Sequence, residues 1–585
     1  MFKKSTAIFM ALIISAFTLT ACTQEGTSSS QSQTQNSSQA SSGSPSSTDT
    51  SSSSDDQTSE ASYSTEMFSD GDFKDVSSDD ANASITLSGN TGTISDTTRG
   101  SSGSEVTITS KGIYRISGSA DGVSIVVNDS TKSGNIYLVL DNVTMTNSSA
   151  PCINIQAADK VIIQCVGENS LTCNSSDSSA KADGAIYAKS DITINGTGKL
   201  NINSSLHGIV GKKDVKLTGA STTVKADLIG IQADNSLRIS SGEASITSGH
   251  DAVHVSNSDN TAYFYLENST LNINSKYDGI SVTADSDSSE FAGYIKTSGG
   301  TINITSGGGS DNSKNSSTSQ KGIKCSGSIT LDGTAVTISS ADDAIHGKSN
   351  ITINSGSYTM STSDDGITAS KDIVINEGTV SITKSYEGIE AANITINGGN
   401  VSVTSSDDGI NTSGGSDTSS SDDNPWGTST DASLNINGGN IYVNSSGDGL
   451  DSNGSIYITG GTVIIEGPTD DGNGSIDKGD GNGCTASITG GTVLAIGSSG
   501  MAVNFDSGSQ CSALVSLSGD SGTEIKVDDG SDFSYTASKK FECVVYSSAS
   551  MAQGKTYTIS AGSSSAEADF SSSLYYSNVQ TRGPH

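Results

Sequence analysis

The sequence has few basic residues for its length. Its 585 residues include 30 lysines and arginines against 64 aspartates and glutamates, which leaves a formal net charge of −34. Nucleic acids and anionic membranes are bound through lysine- and arginine-rich surfaces, so this balance disfavours both as direct partners. The chain is also too long for one compact core, which leaves several domains or one extended repeat architecture.

Other absences narrow the fold further. Only five prolines and one tryptophan occur beside 66 glycines, and the glycines follow no Gly-X-Y period, which excludes collagen. Leu, Glu and Lys are too scarce for a coiled coil. Neither Gly-x-Ser-x-Gly nor His-Glu-x-x-His occurs in the sequence. With 32% hydrophobic residues, the chain is either disordered or built around a narrow core.

The segment 1–22 is similar to a bacterial lipoprotein signal. Lys3 and Lys4 precede an apolar run over 7–17, which is shorter than the roughly 20 residues that a permanent membrane span needs. Leu-Thr-Ala at 19–21 precedes Cys22 and resembles a lipobox, so we expect lipid attachment at Cys22. The protein is then predicted to lie on the outer face of a Gram-positive cytoplasmic membrane, held by its lipid alone. The alternative is an ordinary cleaved signal in which Cys22 is incidental.

The segment 23–66 is rich in serine and contains almost nothing that a core could bury. Such a segment does not offset the entropy lost on ordering, so we expect a disordered tether between the anchor and the rest of the chain.

Tripeptides of the type Asp-Gly-Ile recur through most of the sequence. The central small residue stands at Gly322, Ala344, Gly366 and Gly388, so consecutive steps are equal in length. Longer steps contain insertions, such as 307–320 and 413–431. Self-similarity at a period of about 22 residues is typical of a solenoid.

Each repeat contains three short runs in which apolar and polar residues alternate. In the repeat over 364–385 these runs lie at 366–369, 373–375 and 380–382, and alternation with period two indicates strands with one buried face. We therefore predict an all-β right-handed parallel β-helix with three strands per coil. A β-propeller is the alternative, but its blades need about 40–45 residues.

The repeats and their flanks predict four regions. These are the signal at 1–22, the tether at 23–66, the β-helix at 67–511, and a C-terminal β cap and tail at 512–585. The segment 67–120 is expected to cap the other end of the solenoid, since both ends need protection against edge pairing.

The residue before the small one defines an acidic row, which stacks at about 4.8 Å from coil to coil. The members of the acidic row are Asp278, Lys321, Asp343, Asp365, Glu387, Asp408 and Asp448. Stacked carboxylates repel each other unless a cation compensates them, and calcium binds six to eight oxygen ligands. The predicted calcium ligands are Asp342, Asp343, Asp364, Asp365, Glu387, Asp407 and Asp408. The alternative is that these are solvated aspartates in turns, which accept hydrogen bonds from nearby backbone N–H groups. A weaker calcium candidate is the acidic stretch at 470–480.

Two residues after the small one, a second series of polar side chains runs beside the acidic row. The members of this outer row are His254, Ser281, Lys324, His346, Thr368, Glu390, Asn411, Asp451 and Asp477. A long, regular polar strip matches a polysaccharide, and aromatic side chains add stacking surface for sugar rings. The predicted carbohydrate contacts are Tyr277, Lys324, His346, Tyr386, Glu390 and Trp426.

The stretch from about 82 to 560 resembles the lipoprotein carbohydrate-binding β-helix family of clostridia and related Firmicutes, which folds like calcium-dependent pectate lyases. The resemblance is carried by 106–108 with 117–118, by 135–143, by the Asp-Asp-Gly-Ile repeats and by 472–477. It implies calcium sites and binding of plant cell-wall polysaccharide, either cellulose or acidic pectin, without a need for catalysis. The insertions at 307–320 and 413–431 leave the choice of ligand open.

Three functions remain after this comparison, and binding is favoured. A β-helix lyase uses calcium together with a lysine or arginine as base, and Lys324 is the best candidate here. Acidic neighbours stabilise the charged form of a lysine, which opposes that role. A glycosidase needs one defined carboxylate pair, whereas here the pair recurs in several coils. A monomeric polysaccharide-binding protein is therefore the first expectation, a pectate lyase the second, and an adhesive or structural surface protein the third.

Overall fold

The computed structural model describes residues 67–177, 179–259, 261–284, 293–412, 432–481 and 483–577. The predicted lipid-attachment residue Cys22, the tether and Trp426 lie outside these ranges. The chain divides into two units, Met1–Tyr63 and Ser64–His585, and every element below belongs to the second. Within the described ranges, no helix has the length and apolarity to cross a membrane.

The second unit is built from strands, with almost no helix. One short α-helix, α1, covers Asp70–Phe73, and a 3-10 turn covers Ser78–Asp80. The N-terminal strands are β1 Ala83–Gly89, β2 Thr91–Ile94, β3 Gly100–Ser101, β4 Glu105–Ile108, β5 Gly112–Asp121, β6 Ser124–Asn128, β7 Ile136–Asn147, β8 Ile153–Ala157, β9 Lys160–Val166, β10 Glu168–Cys173, β11 Gly184–Ala188, β12 Asp191–Gly196, β13 Lys199–Ser204, β14 His207–Gly211, β15 Asp214–Thr218, β16 Ser221–Ala226 and β17 Ile231–Ala233. The middle strands are β18 Ser236–Ser240, β19 Glu243–Ser248, β20 Val253–Asn257, β21 Tyr263–Glu267, β22 Thr270–Ser275, β23 Ile280–Ala284, β24 Tyr294–Ser298, β25 Thr301–Ser306, β26 Ile323–Cys325, β27 Ser328–Asp332, β28 Thr334–Ser340, β29 Ile345–Gly347, β30 Ile351–Ile353, β31 Gly356–Thr362, β32 Ile367–Ile375, β33 Thr379–Lys384 and β34 Ile389–Ile396. The C-terminal strands are β35 Asn400–Thr404, β36 Ile410–Thr412, β37 Ser433–Ile436, β38 Asn440–Asn444, β39 Leu450–Ser452, β40 Ser455–Ile458, β41 Thr462–Glu466, β42 Ala486–Ile488, β43 Thr492–Gly497, β44 Ser512–Val515, β45 Glu524–Val527, β46 Ser534–Thr536, β47 Cys543–Ser548, β48 Thr556–Ala561, β49 Ser564–Asp569 and β50 Leu574–Tyr576.

Most strands pair in parallel with the strand three places further along the chain. Strand β12 pairs with β15, β15 with β18 and β18 with β21, and the strands on either side follow the same rule. Among the described strands, 46 join one large and mostly parallel sheet in this way. In the most regular part, Ile345 pairs with Ile367 and Ile367 with Ile389, so paired residues are separated by one sequence repeat.

The alternation of apolar and polar residues decides which side chains are buried. Strand β13, for example, alternates exposed and buried residues along its whole length. The buried isoleucines, valines and leucines stack from one repeat to the next and form one continuous apolar cluster. This core is one side chain deep from each strand, which explains how a chain with 32% hydrophobic residues folds.

The small residue of the Asp-Gly-Ile motif is required by close backbone contact. A Cβ atom at Gly388 would lie 2.2 Å from the carbonyl oxygen of Gly409 and 2.2 Å from a methyl group of Val403. The next repeat therefore approaches too closely for any larger side chain at this position.

The C-terminal part changes from parallel to antiparallel pairing. Strand β47 pairs antiparallel with β43 and β44, and β45, β46, β48 and β49 form a separate antiparallel sheet over a second apolar cluster. The buried Glu466 carboxylate joins this part to the repeats, because it accepts hydrogen bonds from the hydroxyls of Tyr442 and Tyr535 and from Ser538.

Candidate functional site

The register of the parallel strands brings the residues of the outer row together. Lys324 pairs with His346, His346 with Thr368 and Thr368 with Glu390. The row continues through Asn411 to Asp451, although the insertion at 413–431 separates these two in the sequence. The acidic row lies at the start of the same strands, so both rows belong to one strip of the molecule.

One oxygen of most carboxylates in the acidic row has a structural role. The Asp365 amide donates to Asp343 Oδ1 at 3.3 Å, and the Glu387 amide donates to Asp365 Oδ1 at 3.1 Å. In the later repeats, the Asp448 amide donates to Asp408 Oδ1 at 2.6 Å. Each of these carboxylates thus accepts a hydrogen bond from a backbone N–H of the next repeat, as the turn-aspartate alternative expects for one oxygen. The second oxygen of Asp343 faces Lys321 and His346.

In the first half of the strip, amino groups of the protein already compensate the predicted calcium ligands. Asp342, Asp343 and Asp364 offer three carboxylate oxygens within 4.8 Å of one another. Lys321 Nζ lies 3.0 Å from Asp342 Oδ1 and 2.5 Å from Asp343 Oδ2. Lys314 Nζ pairs with Asp364 and lies 3.6 Å from Asp342 Oδ1. This group is therefore an ion-paired cluster whose oxygens face ammonium groups.

The electrostatics of Asp343 agree with that arrangement. Burial alone would raise the pKa of this fully buried carboxyl, but His346 and Lys321 together hold it well below its usual range. His346 Nδ1 lies 2.9 Å from Asp343 Oδ2, and only 4% of His346 is exposed. The imidazole thus serves mainly to hold Asp343, and it leaves little surface for a sugar.

Raised pKa values begin at Asp364, where burial and Asp343 raise the pKa to about 6 despite Lys314, and they continue through the second half of the strip. Burial and the neighbouring carboxylates raise the pKa of Asp365 to about 9, and the same causes raise the pKa of Glu387 to about 8. Further along, the pKa is raised to about 6 at Asp408, about 8 at Asp448 and about 7 at Asp451. The shifts beyond Asp364 have the sign expected where negative charge accumulates without an internal cation.

Asp408, Asp448 and Asp451 form the second compact group of oxygens. One carboxylate oxygen from each lies within 4.8 Å of the others, and within the described ranges no lysine, arginine or histidine forms an ion pair with any of the three. Beside them, Asn411 is only 5% exposed; its amide nitrogen donates to Glu387 Oε2 at 3.1 Å, while its Oδ1 accepts no hydrogen bond from the described residues. Asn411 is the register neighbour of Asp451, so a residue whose buried amide oxygen accepts no hydrogen bond from the described residues lies beside one of the three carboxylates.

Two of these carboxylates were absent from the ligands predicted from sequence. Asp448 follows Gly447 and so lacks the paired carboxylate that marked the other repeats. Asp451 stands in the outer row, and the insertion at 413–431 hides that Asp408 and Asp448 occupy consecutive repeats. Only the strand register reveals that these residues meet.

The two predicted aromatic contacts with described positions differ in their accessibility. Tyr386 is 49% exposed, next to Asp407, whose carboxylate is the main cause that raises the pKa of Tyr386 to about 12. Tyr277 stacks on the ring of His250 at 4.8 Å. Trp426, the third predicted aromatic contact, lies outside the described residues. Tyr386 therefore offers the more accessible surface for a sugar ring.

The predicted polar contacts are already engaged or partly covered. Lys324 Nζ donates to Ser319 at 3.1 Å and lies 3.4 Å from Asp278 Oδ2. Glu390 lies in the outer row between Thr368 and Asn411 and is half-buried. Both side chains remain on the strip, but Lys324 is held by partners of the same chain.

Comparison with known proteins identifies the family. A model of carbohydrate-binding domain-containing proteins matches residues 102–366 and 361–409, which is just over half of the chain. This chain belongs to that family. The match covers the first half of the strip and ends after Asp408, so Asp448 and Asp451 lie beyond it.

One curated relative in the family comes from Acetivibrio thermocellus and is named a carbohydrate-binding domain-containing protein. It is 35% identical over 161 residues, which are 26% of this chain and 56% of the relative. The chain thus spans about half the length of that relative. A solved structure, described as a polysaccharide lyase-like protein from C. thermocellum in a gadolinium derivative, is 25% identical, with a TM-score of 0.32. That alignment covers 50% of this chain and 96% of the other.

Proposed function

We propose that the protein is a cell-surface lipoprotein that binds plant cell-wall polysaccharide, acidic pectin or cellulose, along a calcium-supported face of a right-handed parallel β-helix. The observation that carries this proposal is the group of Asp408, Asp448 and Asp451 beside the Asn411 amide oxygen. Membership of a carbohydrate-binding family supports the choice of a polysaccharide as the partner.

The donor atoms of this group fit calcium. Calcium takes hard oxygen ligands from carboxylates, amides and backbone carbonyls. Asp408, Asp448 and Asp451 supply carboxylates, and Asn411 Oδ1 is a buried acceptor that lacks a donor among the described residues. A divalent cation here would relieve both the carboxylate repulsion and the unsatisfied amide.

The Asp342, Asp343 and Asp364 group does not fit a calcium ion, because Lys321 and Lys314 contact its oxygens. We therefore place the calcium site in the second half of the strip. Of the calcium ligands predicted from the sequence, only Asp408 belongs to this proposed site.

In the proposed complex, bound calcium supplies positive charge that attracts the carboxylates of an acidic glycan. Asp408, Asp448 and Asp451 hold the ion, and Asn411 fixes Glu387 through its amide nitrogen. The exposed ring of Tyr386 offers a stacking surface on the same strip.

The lipoprotein assignment rests on the sequence of the segment 1–22 and on the serine-rich tether at 23–66. The β-helix assignment is supported by parallel pairing between every third strand, with paired residues one sequence repeat apart. The lyase alternative receives little support, because Asp278 and Ser319 of the same chain already hold the Lys324 amino group.

The proposal is tested by binding to insoluble and soluble glycans in calcium and in chelator. We expect the protein to be retained on calcium polygalacturonate and released by chelator, without new ultraviolet absorbance from unsaturated products. The double variant Asp448→Asn/Asp451→Asn should lose this retention, whereas Asp121→Asn, which changes an exposed aspartate on β5, should keep it. Equal retention of all three proteins in chelator would refute the calcium-supported face, and absence of binding to any glycan would leave an adhesive or structural role.

A further inference from the structure

The segment at 67–76, which includes α1, crosses the outer face of four neighbouring strands. At one end, Arg238 on β18 donates a hydrogen bond to the carbonyl of Met67. At the other end, the Val76 amide donates to the side-chain oxygen of Gln164 on β9, and the Gln164 side-chain nitrogen donates to the Val76 carbonyl. Between these ends, Asn195 on β12 donates to the carbonyl of Lys74 at 3.1 Å, and Thr218 on β15 donates to the carbonyl of Asp72 at 2.6 Å. We call this segment the strap.

The side chain of Asp72 is the centre of the strap's contact with the sheet. It is fully buried, although most other side chains of the strap are exposed. Lys160 Nζ on β9 pairs with Oδ1, and Lys216 Nζ on β15 lies 2.9 Å from Oδ2. Thr193 on β12 donates to Oδ1 at 2.6 Å. Although burial acts in the opposite direction, Lys160 and these other donors hold the pKa of Asp72 well below its usual range.

Little apolar contact holds the strap in place. Phe73 is 42% exposed, and the ring of Phe68 lies 6.1 Å from the ring of Tyr265 on β21. The strap is therefore docked chiefly by polar contacts, with the Asp72 carboxylate at their centre, and such a segment opens more readily than the strands beneath it.

The sheet supplies two ammonium groups and a hydroxyl to the Asp72 carboxylate, and Ser69 of the strap donates the other hydrogen bonds that Oδ2 accepts. Lys160, Thr193 and Lys216 stand on three strands that are neighbours in the sheet, and the register keeps them close together. Asn195 lies in the same place, only 1% exposed, and its Oδ1 accepts no hydrogen bond from the described residues. Two ammonium groups and a hydroxyl donor suit a carboxylate, and the unused amide oxygen suits a hydroxyl group close to that carboxylate.

We propose that Lys160, Thr193, Lys216 and Asn195 form a second ligand site, which takes a hydroxylated carboxylate such as a uronic acid, and that Asp72 of the strap occupies this site until an external carboxylate displaces it. The site uses ammonium groups where the strip uses carboxylates, so its ligand binds without calcium. It lies on different strands from the strip and does not depend on the function proposed there.

The test uses the full chain and two measurements. Amide exchange of the strap in the wild-type protein, followed in chelator, should accelerate when galacturonate oligomers are added and should not respond to neutral oligomers of the same length. In Asp72→Ala, acetate and galacturonate should bind in chelator and raise the unfolding temperature, whereas chloride at equal ionic strength should do neither. The variant Asp70→Ala changes an exposed carboxylate on the same short helix and should behave as wild type.

The outcomes separate the possible ligands. If acetate and galacturonate raise the unfolding temperature of Asp72→Ala equally, the site takes carboxylates in general. A larger effect of galacturonate supports a uronate site. Exchange of the strap in Asp72→Asn should be roughly a hundredfold faster than in wild type, since a buried pair has lost its charge. The proposal is overturned if galacturonate leaves the amide exchange of the strap unchanged and Asp72→Ala binds no carboxylate.

Discussion

Lys321 occupies a position that aspartate or glutamate takes in most other repeats, and its Nζ lies 2.5 Å from Oδ2 of Asp343 in the next repeat. With Lys314, this lysine compensates the carboxylates in one half of the strip, whereas Asp408, Asp448 and Asp451 in the other half form no ion pair among the described residues. Lys321 and Asp343 are both buried, so their attraction is only weakly screened by solvent.

Replacing this lysine should therefore destabilise the protein. We expect Lys321→Met to lower the free energy of unfolding by about 3 kcal/mol, because two buried carboxylates lose an ammonium partner. Denaturant unfolding measures the change. Lys296→Met removes an exposed lysine on β24 and should change stability by less than about 0.5 kcal/mol. Similar losses in both variants would contradict the role given to Lys321.

Calcium should stabilise the wild-type protein through Asp408, Asp448 and Asp451. At a calcium concentration of about 100 times the dissociation constant, the expected gain is about 2.7 kcal/mol, and magnesium should give less because it requires a stricter geometry. Thermal unfolding in calcium, magnesium and chelator measures it. In Asp451→Asn most of the calcium effect should disappear, and an undiminished effect would place the ion elsewhere.

The strap should give the protein an acid-sensitive contribution to stability. The pKa of Asp72 is lowered on folding, so its contribution is complete above the unfolded value of about 3.9 and is lost as the pH falls through the lower folded value. The free energies of unfolding of the wild type and Asp72→Asn should therefore differ by a constant amount from neutral pH down to about 4. Below about pH 4 the two free energies should converge. A difference that stays constant to pH 2 would show that the charge of Asp72 is not responsible.

Lys539 should give a dependence on pH of the same sign as Asp72, but in the alkaline range. Its half-buried amine donates to the carbonyl of Ser445 at 2.5 Å, and burial lowers its pKa to about 8 despite the nearby Glu466. Between this value and the unfolded value of about 10.4, the unfolded chain binds more protons, so wild-type stability should rise with pH relative to Lys539→Met. Unfolding temperatures of both proteins from pH 7 to 10 test this sign. Parallel curves would show that Lys539 titrates normally.

Tyr386 should contribute to polysaccharide affinity without affecting the metal. With 49% of the side chain exposed, Tyr386→Ala removes a stacking surface worth about 1 kcal/mol, which corresponds to roughly a fivefold weaker affinity. Tyr457→Ala is the matched control, since it removes a 37% exposed tyrosine from β40. Calorimetric titration with calcium and then with glycan measures the metal affinity and the glycan affinity separately. Equal losses of glycan affinity in Tyr386→Ala and Tyr457→Ala would show that Tyr386 is not part of the contact surface.

The sequence was most informative where a pattern repeats. The regular spacing of the motifs and the alternation of apolar residues predicted the strands, and the register of Ile345, Ile367 and Ile389 follows that spacing. The position of the outer row was also predictable from the sequence, because a residue that recurs once per repeat lies at the same place in each successive strand. The proposed calcium ligands were harder to predict, since Asp343 and Asp408 occupy the same place in their repeats and differ only in their neighbours.

What the sequence alone determined is therefore the all-β architecture and the strip on which the polar residues lie, because periodic burial of apolar side chains is a local property of the chain. The tertiary structure decided which charges meet. It placed Lys314, from an insertion, against Asp342 and Asp364, brought Asp408 next to Asp448 across an insertion, and buried Asp72 between Lys160 and Lys216. Electrostatic energy depends on distances between atoms far apart in the chain and on their burial, and neither can be read from spacing along the sequence.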